Sequence, residues 1–303
     1  METTSDTPVA AGARDNLRGI AAMLVAVGAF ALMDAGLKVL SPHYVPFQVA
    51  ALRGLASLPL VLAWVAVTNG WSSLVRVRWS LHLVRGVMSI GMLAAFAYGL
   101  RYLPLSEAYS IFFVAPLIIT ALAVPMLGER VDRARWIAIV IGLAGVLIVL
   151  RPTGGGVLTL AGLAIVGCAA AYSLSAILVR IIGRTDSTLS MVFWLVVMLS
   201  VGATALAWPD WKPLVAGHGW VIAGVAVSGA AGQYAITEAF KRGEASVVAP
   251  FEYTALAWGL GLDWFVWQTL PGAHTLLGAA VIIACGLYLV QKEREKKVPV
   301  GAA

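Results

Sequence analysis

Ten apolar stretches, arranged as two sets of five, take up almost all of the 303 residues. They run at about 17–40, 44–68, 80–102, 104–127, 133–150, 157–182, 188–208, 218–242, 244–267 and 272–291. Each is long enough to cross a hydrocarbon core of ~30 Å at ~1.5 Å per residue. Five is an odd number, so a repeated five-span unit must lie upside down in its second copy. The fold class that follows is an all-α polytopic membrane protein, with ten transmembrane helices as two inverted five-helix repeats. Residues 1–16 and 292–303 are then short tails, residues 17–150 the first repeat and residues 151–291 the second.

Composition supports a membrane chain. It is 60% hydrophobic and 12% charged, with mean hydropathy +0.89, where a soluble domain carries about 25% charge. No polar stretch reaches the ~50 residues of a small soluble domain. The first apolar stretch is too long for a signal-peptide core and lacks a cleavage site after it, so it reads as a retained span. Cys168 and Cys285 fall inside predicted spans and read as packing residues. His43, His82, His218 and His274 sit near span ends without metal-ligand spacing. Gly154-Gly155-Gly156 follows Pro152 as a turn, and no Lys-Ser/Thr completes a phosphate-binding loop. Ser173 and Ser175 have no partners in a triad-like pattern. The expectation is a chain that is not an enzyme and needs neither cofactor nor metal.

The net charge of +6 is a topology signal. With the N-terminus in the cytoplasm, the inner side holds Arg14, Arg18, Arg76, Arg78, Arg85, Arg130, Arg133, Arg135, Arg180, Arg184, Lys241, Arg242, Lys292, Arg294, Lys296 and Lys297, sixteen in all. The outer side holds four, Lys38, Arg101, Arg151 and Lys212, and Arg53 lies within a span. The positive-inside rule then places both termini in the cytoplasm of a bacterial-type inner membrane. The partners expected are the lipid bilayer and a small-molecule substrate, without nucleic acid, for a monomer or homodimer.

The two halves match in detail. Ser106-Glu107-Ala108 leads to Pro116 in the first, and Gly243-Glu244-Ala245 leads to Pro250 in the second. Gly91, Ala95 and Gly99 recur every four residues, as do Gly224, Ser228 and Gly232. Such small-residue stripes let helix backbones approach closely in lipid. On Pro104-Leu105-Ser106-Glu107-Ala108, Pro116, Leu127-Gly128-Glu129-Arg130, Glu244 to Pro250 and Gly278 to Gly286, the chain resembles the EamA-type branch of the drug/metabolite transporter superfamily. The resemblance covers about residues 17–291; one departure is Trp267-Gln268 where the Gly128-Glu129 pair would recur. It implies ten helices around a cavity formed mainly by spans 1, 3, 4, 6, 8 and 9, with spans 5 and 10 as scaffold. By general similarity it is closest to the branch exporting amino acids, including aromatic ones.

Ionisable residues inside a membrane cost ~2.5–3.5 kcal/mol each on insertion scales, so they are candidates for function. Asp34 and Lys38 share one face of span 1, with Arg53 at similar depth in span 2. They are either a mutually neutralising set or the two ends of a zwitterion site. Glu252, just after Pro250, is either bonded to neighbouring helices or meets a substrate amine or proton. Glu238 lies near the inner end of span 8, where Lys241 and Arg242 can pair with it. Glu107 and Glu244 begin helices and suit the capping of free N–H groups. Tyr98, Tyr109, Tyr172, Tyr234, Tyr253 and Trp258 are candidates to line an apolar cavity, with Gln233 as a polar contact. Asp34, Lys38 and Glu252 complete that substrate-binding set. Glu238, Arg53, Pro116 and Pro250 are the coupling or gating candidates.

The functional expectation is a secondary transporter exporting small organic metabolites, amino acids first, by alternating access of two inverted repeats. Export of amphipathic drug-like cations is the alternative, favoured by a wholly buried acid without a basic neighbour. An intramembrane lipid enzyme would need convergent His, Asp or Ser groups at one depth, which the sequence does not offer.

Overall fold

The computed structural model of the chain describes residues 8–40, 42–68, 70–102, 111–150, 158–258, 261, 265 and 272–295. Tyr109, Glu107, Asp263 and the Trp267-Gln268 pair lie outside them. The described elements are helical: α1 (Pro8–Leu40), α2 (Pro46–Val67), α3 (Trp71–Val75), α4 (Trp79–Tyr102), α5 (Ala115–Leu127), α6 (Arg133–Leu150), α7 (Leu160–Ile182), α8 (Thr188–Ala207), α9 (Gly219–Arg242), α10 (Ala245–Val248) and α11 (Ala273–Glu295). Six of these are long and apolar enough to cross a membrane. Each coincides with an apolar stretch in the sequence.

Helix ends follow local chemistry. The Thr159 hydroxyl accepts from the Gly162 amide at the start of α7, and the Ser187 hydroxyl accepts from the Ser190 amide at the start of α8. Gly128 closes α5 in the left-handed region at φ 71°, where any side chain would be strained. The two matched prolines stand at helix starts. Pro116 occupies the first turn of α5, where its missing N–H is not needed. Pro250 ends α10 after four residues and opens a 3-10 segment, Ala249–Thr254. The ninth apolar stretch is therefore broken near its start, because proline has no N–H to give to the preceding turn.

The helices pack in pairs: α1 on α9, α2 on α8, α4 on α7 and α6 on α11. The small-residue stripes serve this packing in part. A Cβ on Gly99 would meet Ile165 of α7 at 2.3 Å, and one on Gly232 would meet Phe30 of α1 at 2.7 Å. Gly91 and Gly224 face open space.

Asn16 near the start of α1 donates to Glu293 near the end of α11 (3.0 Å), so both ends of the described chain share one end of the bundle. At this termini end one large apolar core joins Ile20, Met23, Ile119, Ile177, Ile182, Phe240 and Val248. Smaller clusters accompany it, Val65, Leu74 and Leu189 at the same end and others farther along. Met33, Leu40, Val49 and Val225 join α1, α2 and α9, while Phe96 of α4 and Ile165 of α7 pack with Ile111 and Phe112.

Candidate functional site

Two polar side chains meet inside the bundle, with a buried arginine in electrostatic reach of one of them. Tyr172 stands in the middle of α7, and its hydroxyl donates to Glu252 Oε1 at 2.9 Å. Glu252 is 7% exposed and sits in the 3-10 segment behind Pro250, which sets its direction. Arg85 of α4 is 4% exposed and interacts electrostatically with Tyr172. Its Nη1 reaches only the Met191 carbonyl, at 3.3 Å, and its Nε has no hydrogen-bond partner. Among the described residues, no carboxylate lies within ion-pairing distance of Arg85 and no Lys or Arg within that distance of Glu252. Phe112 packs on the Tyr172 ring at 5.5 Å, giving the trio an apolar wall.

Other predicted site residues are distributed around this trio. Asp34 keeps accessible surface on α1 and interacts electrostatically with Arg53 of α2, whose guanidinium lies 5.5 Å from the Phe30 ring centre. Lys38 follows one turn later on α1. Trp258 is half-exposed and covers Gly28 of α1. Tyr98 is partly exposed and stacks on Tyr102 at 5.1 Å. Tyr234 meets Trp64 edge-on at 5.0 Å, in a groove of about 350 Å³ lined also by Leu60, Val61 and Val192. Gln233 turns to Thr237 on its own helix. Tyr253 points away from its neighbour Glu252, onto Gly142 and Phe113 on the α6–α11 side. Glu238 is held by Thr188 and Arg242. Pro116 is buried, and its carbonyl accepts from Thr120 (2.9 Å).

The termini end is fastened by polar networks whose partners lie far apart in sequence. Arg135, 3% exposed, donates to Glu244 Oε2 and Glu293 Oε1, each at 2.9 Å, and to the Ser246 hydroxyl at 3.4 Å. Glu129 accepts from the Ala245 amide (2.7 Å), the Ser246 amide (2.9 Å) and the Ser246 hydroxyl (2.6 Å), capping α10. Asn16 Oδ1 accepts from the Glu244 amide at 2.8 Å. Glu244 itself is thus an ion-pair partner rather than a cap, and Glu129 caps in its place. Nearby, Asp186 between α7 and α8 accepts from His82 (2.9 Å), the Arg78 amide (3.0 Å) and Thr185 (2.7 Å). Burial alone would raise the Asp186 carboxyl, but these hydrogen bonds outweigh it and hold it below the usual carboxylate range.

The tally of inner cations includes two buried arginines, Arg135 and, on α4, Arg85. Arg85 lies buried between helices, ~9 Å along α4 from Trp79. The signal was present, because Arg85 falls inside the apolar stretch 80–102.

A model of the EamA-like transporter family matches residues 17–151 and again residues 159–291. The chain belongs to this family. The riboflavin transporter of Vibrio cholerae is 28% identical over 284 residues, covering 92% of this chain and 95% of that protein. The pseudopaline exporter CntI of Pseudomonas aeruginosa is 24% identical, covering 91% and 97%. The S-adenosylmethionine uptake transporter of Rickettsia prowazekii is 25% identical, covering 92% and 94%. A crystal structure of another protein superposes with a TM-score of 0.79 at 20% identity, covering 93% of this chain and 99% of that one, which supports the fold. The EamA-like chain is therefore a membrane transporter of small molecules and not an enzyme.

Proposed function

We propose that this EamA-like chain moves small organic metabolites, amino acids and their derivatives first, by alternating access of two inverted five-span halves in a bacterial inner membrane. The observation that carries the reading is a polar trio, Arg85, Tyr172 and Glu252, set within the apolar bundle. Ionisable groups buried inside an apolar membrane bundle mark a substrate or ion path by default.

Packing supports the inverted halves. Numbering the apolar stretches 1 to 10, the helix pairs are 1 with 8, 2 with 7, 3 with 6 and 5 with 10. Exchanging each stretch for its counterpart five places on leaves this set unchanged. Loop contacts obey the same exchange. Asp186 in the 6–7 loop binds Arg78 and His82 at the 2–3 connection, at the termini end. At the far end, Gln48 and Tyr44 of the 1–2 connection bind Lys212 (2.6 and 2.9 Å) and the Val215 amide (3.0 Å) of the 7–8 connection.

Amino acids as cargo rest on the sequence resemblance and on a site with a base and an acid beside aromatic rings. The named cargo of the S-adenosylmethionine relative itself contains an amino-acid group. Buried Glu252, without a basic neighbour in ion-pairing distance, favours a second reading, export of amphipathic cations. Arg85 beside Tyr172 weighs against that reading, since it repels a cation. The experiment is flux in proteoliposomes with three probes: L-phenylalanine, S-adenosylmethionine and riboflavin. Transport of at least one probe faster than in protein-free vesicles is expected. Equal rates for all three sink the transport reading, and cysteine labelling that finds Arg14 and Lys297 on opposite faces sinks the ten-span topology.

A further inference from the structure

A buried guanidinium in a membrane bundle needs a partner. The cost of removing the charge from water is several kcal/mol, and it is recovered only through close, well-aligned counter-charges. Arg85 does not recover it. It has one hydrogen bond, to the Met191 carbonyl, its Nε is unsatisfied, and no carboxylate is within ion-pairing distance among the described residues. The chain does not lack the means to pair a buried arginine, as Arg135 shows. Glu252 is the mirror case: a buried carboxylate whose hydrogen bond comes from the neutral Tyr172 hydroxyl. Tyr172 connects the two, bonded to Glu252 and in electrostatic reach of Arg85. The fold thus holds one buried cation and one buried anion around the same tyrosine without pairing them with each other.

We propose that Arg85 and Glu252 are the two poles of a binding site for a zwitterionic metabolite, which sets its carboxylate on the Arg85 guanidinium and its ammonium on Glu252. This rests on the transport reading and deepens it by naming the charge pattern of the cargo. The open Nε of Arg85, together with an Nη, offers the two parallel N–H donors that a carboxylate accepts in bidentate fashion. Glu252 has acceptor capacity left after receiving the Tyr172 hydroxyl. Phe112 beside Tyr172 supplies apolar surface for the remainder of the molecule. Neither a purely cationic nor a purely anionic ligand satisfies both poles, and the pole left unpaired penalises it.

Binding titrations on the purified, detergent-solubilised full chain test this with matched probes. They are L-phenylalanine, phenethylamine, which lacks the carboxylate, and 3-phenylpropanoate, which lacks the ammonium, with S-adenosylmethionine against its decarboxylated form as a second pair. On the wild-type protein at least one zwitterion binds about tenfold or more tightly than its single-charge analogues, as expected for one charge-assisted hydrogen bond lost. In Arg85→Gln the preference for the zwitterion over the decarboxylated analogue falls to about one. Arg85→Lys keeps part of it, as a point charge without the planar fork. In Glu252→Gln the preference over 3-phenylpropanoate disappears while the preference over phenethylamine stays. The proposal is overturned if wild-type protein binds the analogues as tightly as the zwitterions, a comparison that needs no variant to fold. Unchanged ratios in Arg85→Gln also overturn it. Vesicle flux separates the two levels: riboflavin moving while neither zwitterion moves sinks the bipolar site and leaves transport standing, and no flux of any probe sinks both.

Discussion

Two arginines are buried to nearly the same degree, Arg135 at 3% and Arg85 at 4% exposure, and they live in opposite circumstances. Arg135 stands between Glu244 and Glu293, with Ser246 and the Arg130 carbonyl completing its shell. Arg85 has the Met191 carbonyl and an idle Nε. Burial is therefore not what separates a structural charge from an available one; the state of its partners is. Around Arg135 the start of α1, the α5–α6 connection, α10 and the end of α11 are drawn into one knot. Around Arg85 a single 3.3 Å bond ties α4 to α8. The fold sets counter-charges around Arg135 and withholds them from Arg85, where a substrate can supply them.

The largest effect expected from this contrast is at Arg135. Arg135→Met removes one partner of a buried pair and leaves Glu293, itself 2% exposed, without its guanidinium. Loss of one member of such a pair costs about 3–5 kcal/mol. Thermal unfolding of the detergent-solubilised variant, followed by tryptophan fluorescence, checks it. A melting temperature equal to that of the wild-type chain would mean that the knot is ornamental and would erase the contrast with Arg85.

Next comes Asp186, which ties the α7–α8 connection to the start of α4. Asp186→Asn weakens its bonds to His82 and the Arg78 amide, for about 1–3 kcal/mol at neutral pH. The pH dependence has a definite sign. The folded carboxyl titrates below its unfolded value of ~3.9, so its contribution is complete above that pH. It is lost only as the pH falls through the lower folded value. Melting curves from neutral pH down to about pH 3 should show the wild-type advantage over Asp186→Asn shrinking only at the acid end. An advantage that instead faded between pH 7 and 5 would assign the stabilisation to His82 rather than to the carboxylate.

Much of this architecture was legible beforehand, because lipid permits few alternatives. Apolar length located the six long helices, whereas the matched prolines, expected inside their spans, stand at element starts, since proline has no N–H to give to a preceding turn. The site was legible only in part. Glu252 and Tyr172 were candidates by being polar or aromatic within apolar stretches, but nothing local said that they touch across 80 residues. Glu252 and Tyr253 are adjacent, and both were candidates; the 3-10 turn behind Pro250 sends one to Tyr172 and the other to Gly142. The Arg135–Glu293 pair spans 158 residues and depends on how α6 and α11 pack, which periodicity does not encode. Arg85 escaped because a tally of cations by side treats every arginine near a span end as solvated, and the depth of one helical turn decides otherwise.

The smallest effect on stability is expected where the comparison is most exposed to failure. Arg85→Met exchanges an underpaired guanidinium for an apolar chain of similar length. It gives up the single 3.3 Å contact to Met191 and relieves the desolvation that this contact does not offset. The two nearly cancel, so the ligand-free melting temperature should stay within about 1 kcal/mol of the wild-type stability or rise slightly, although flux of the zwitterionic probe is lost. A protein that keeps its fold and loses its cargo at Arg85, and loses its fold at Arg135, has two buried arginines doing different jobs. If Arg85→Met instead unfolds as readily as Arg135→Met, its guanidinium is a structural tie after all, and the charge assigned to the substrate belongs to the scaffold.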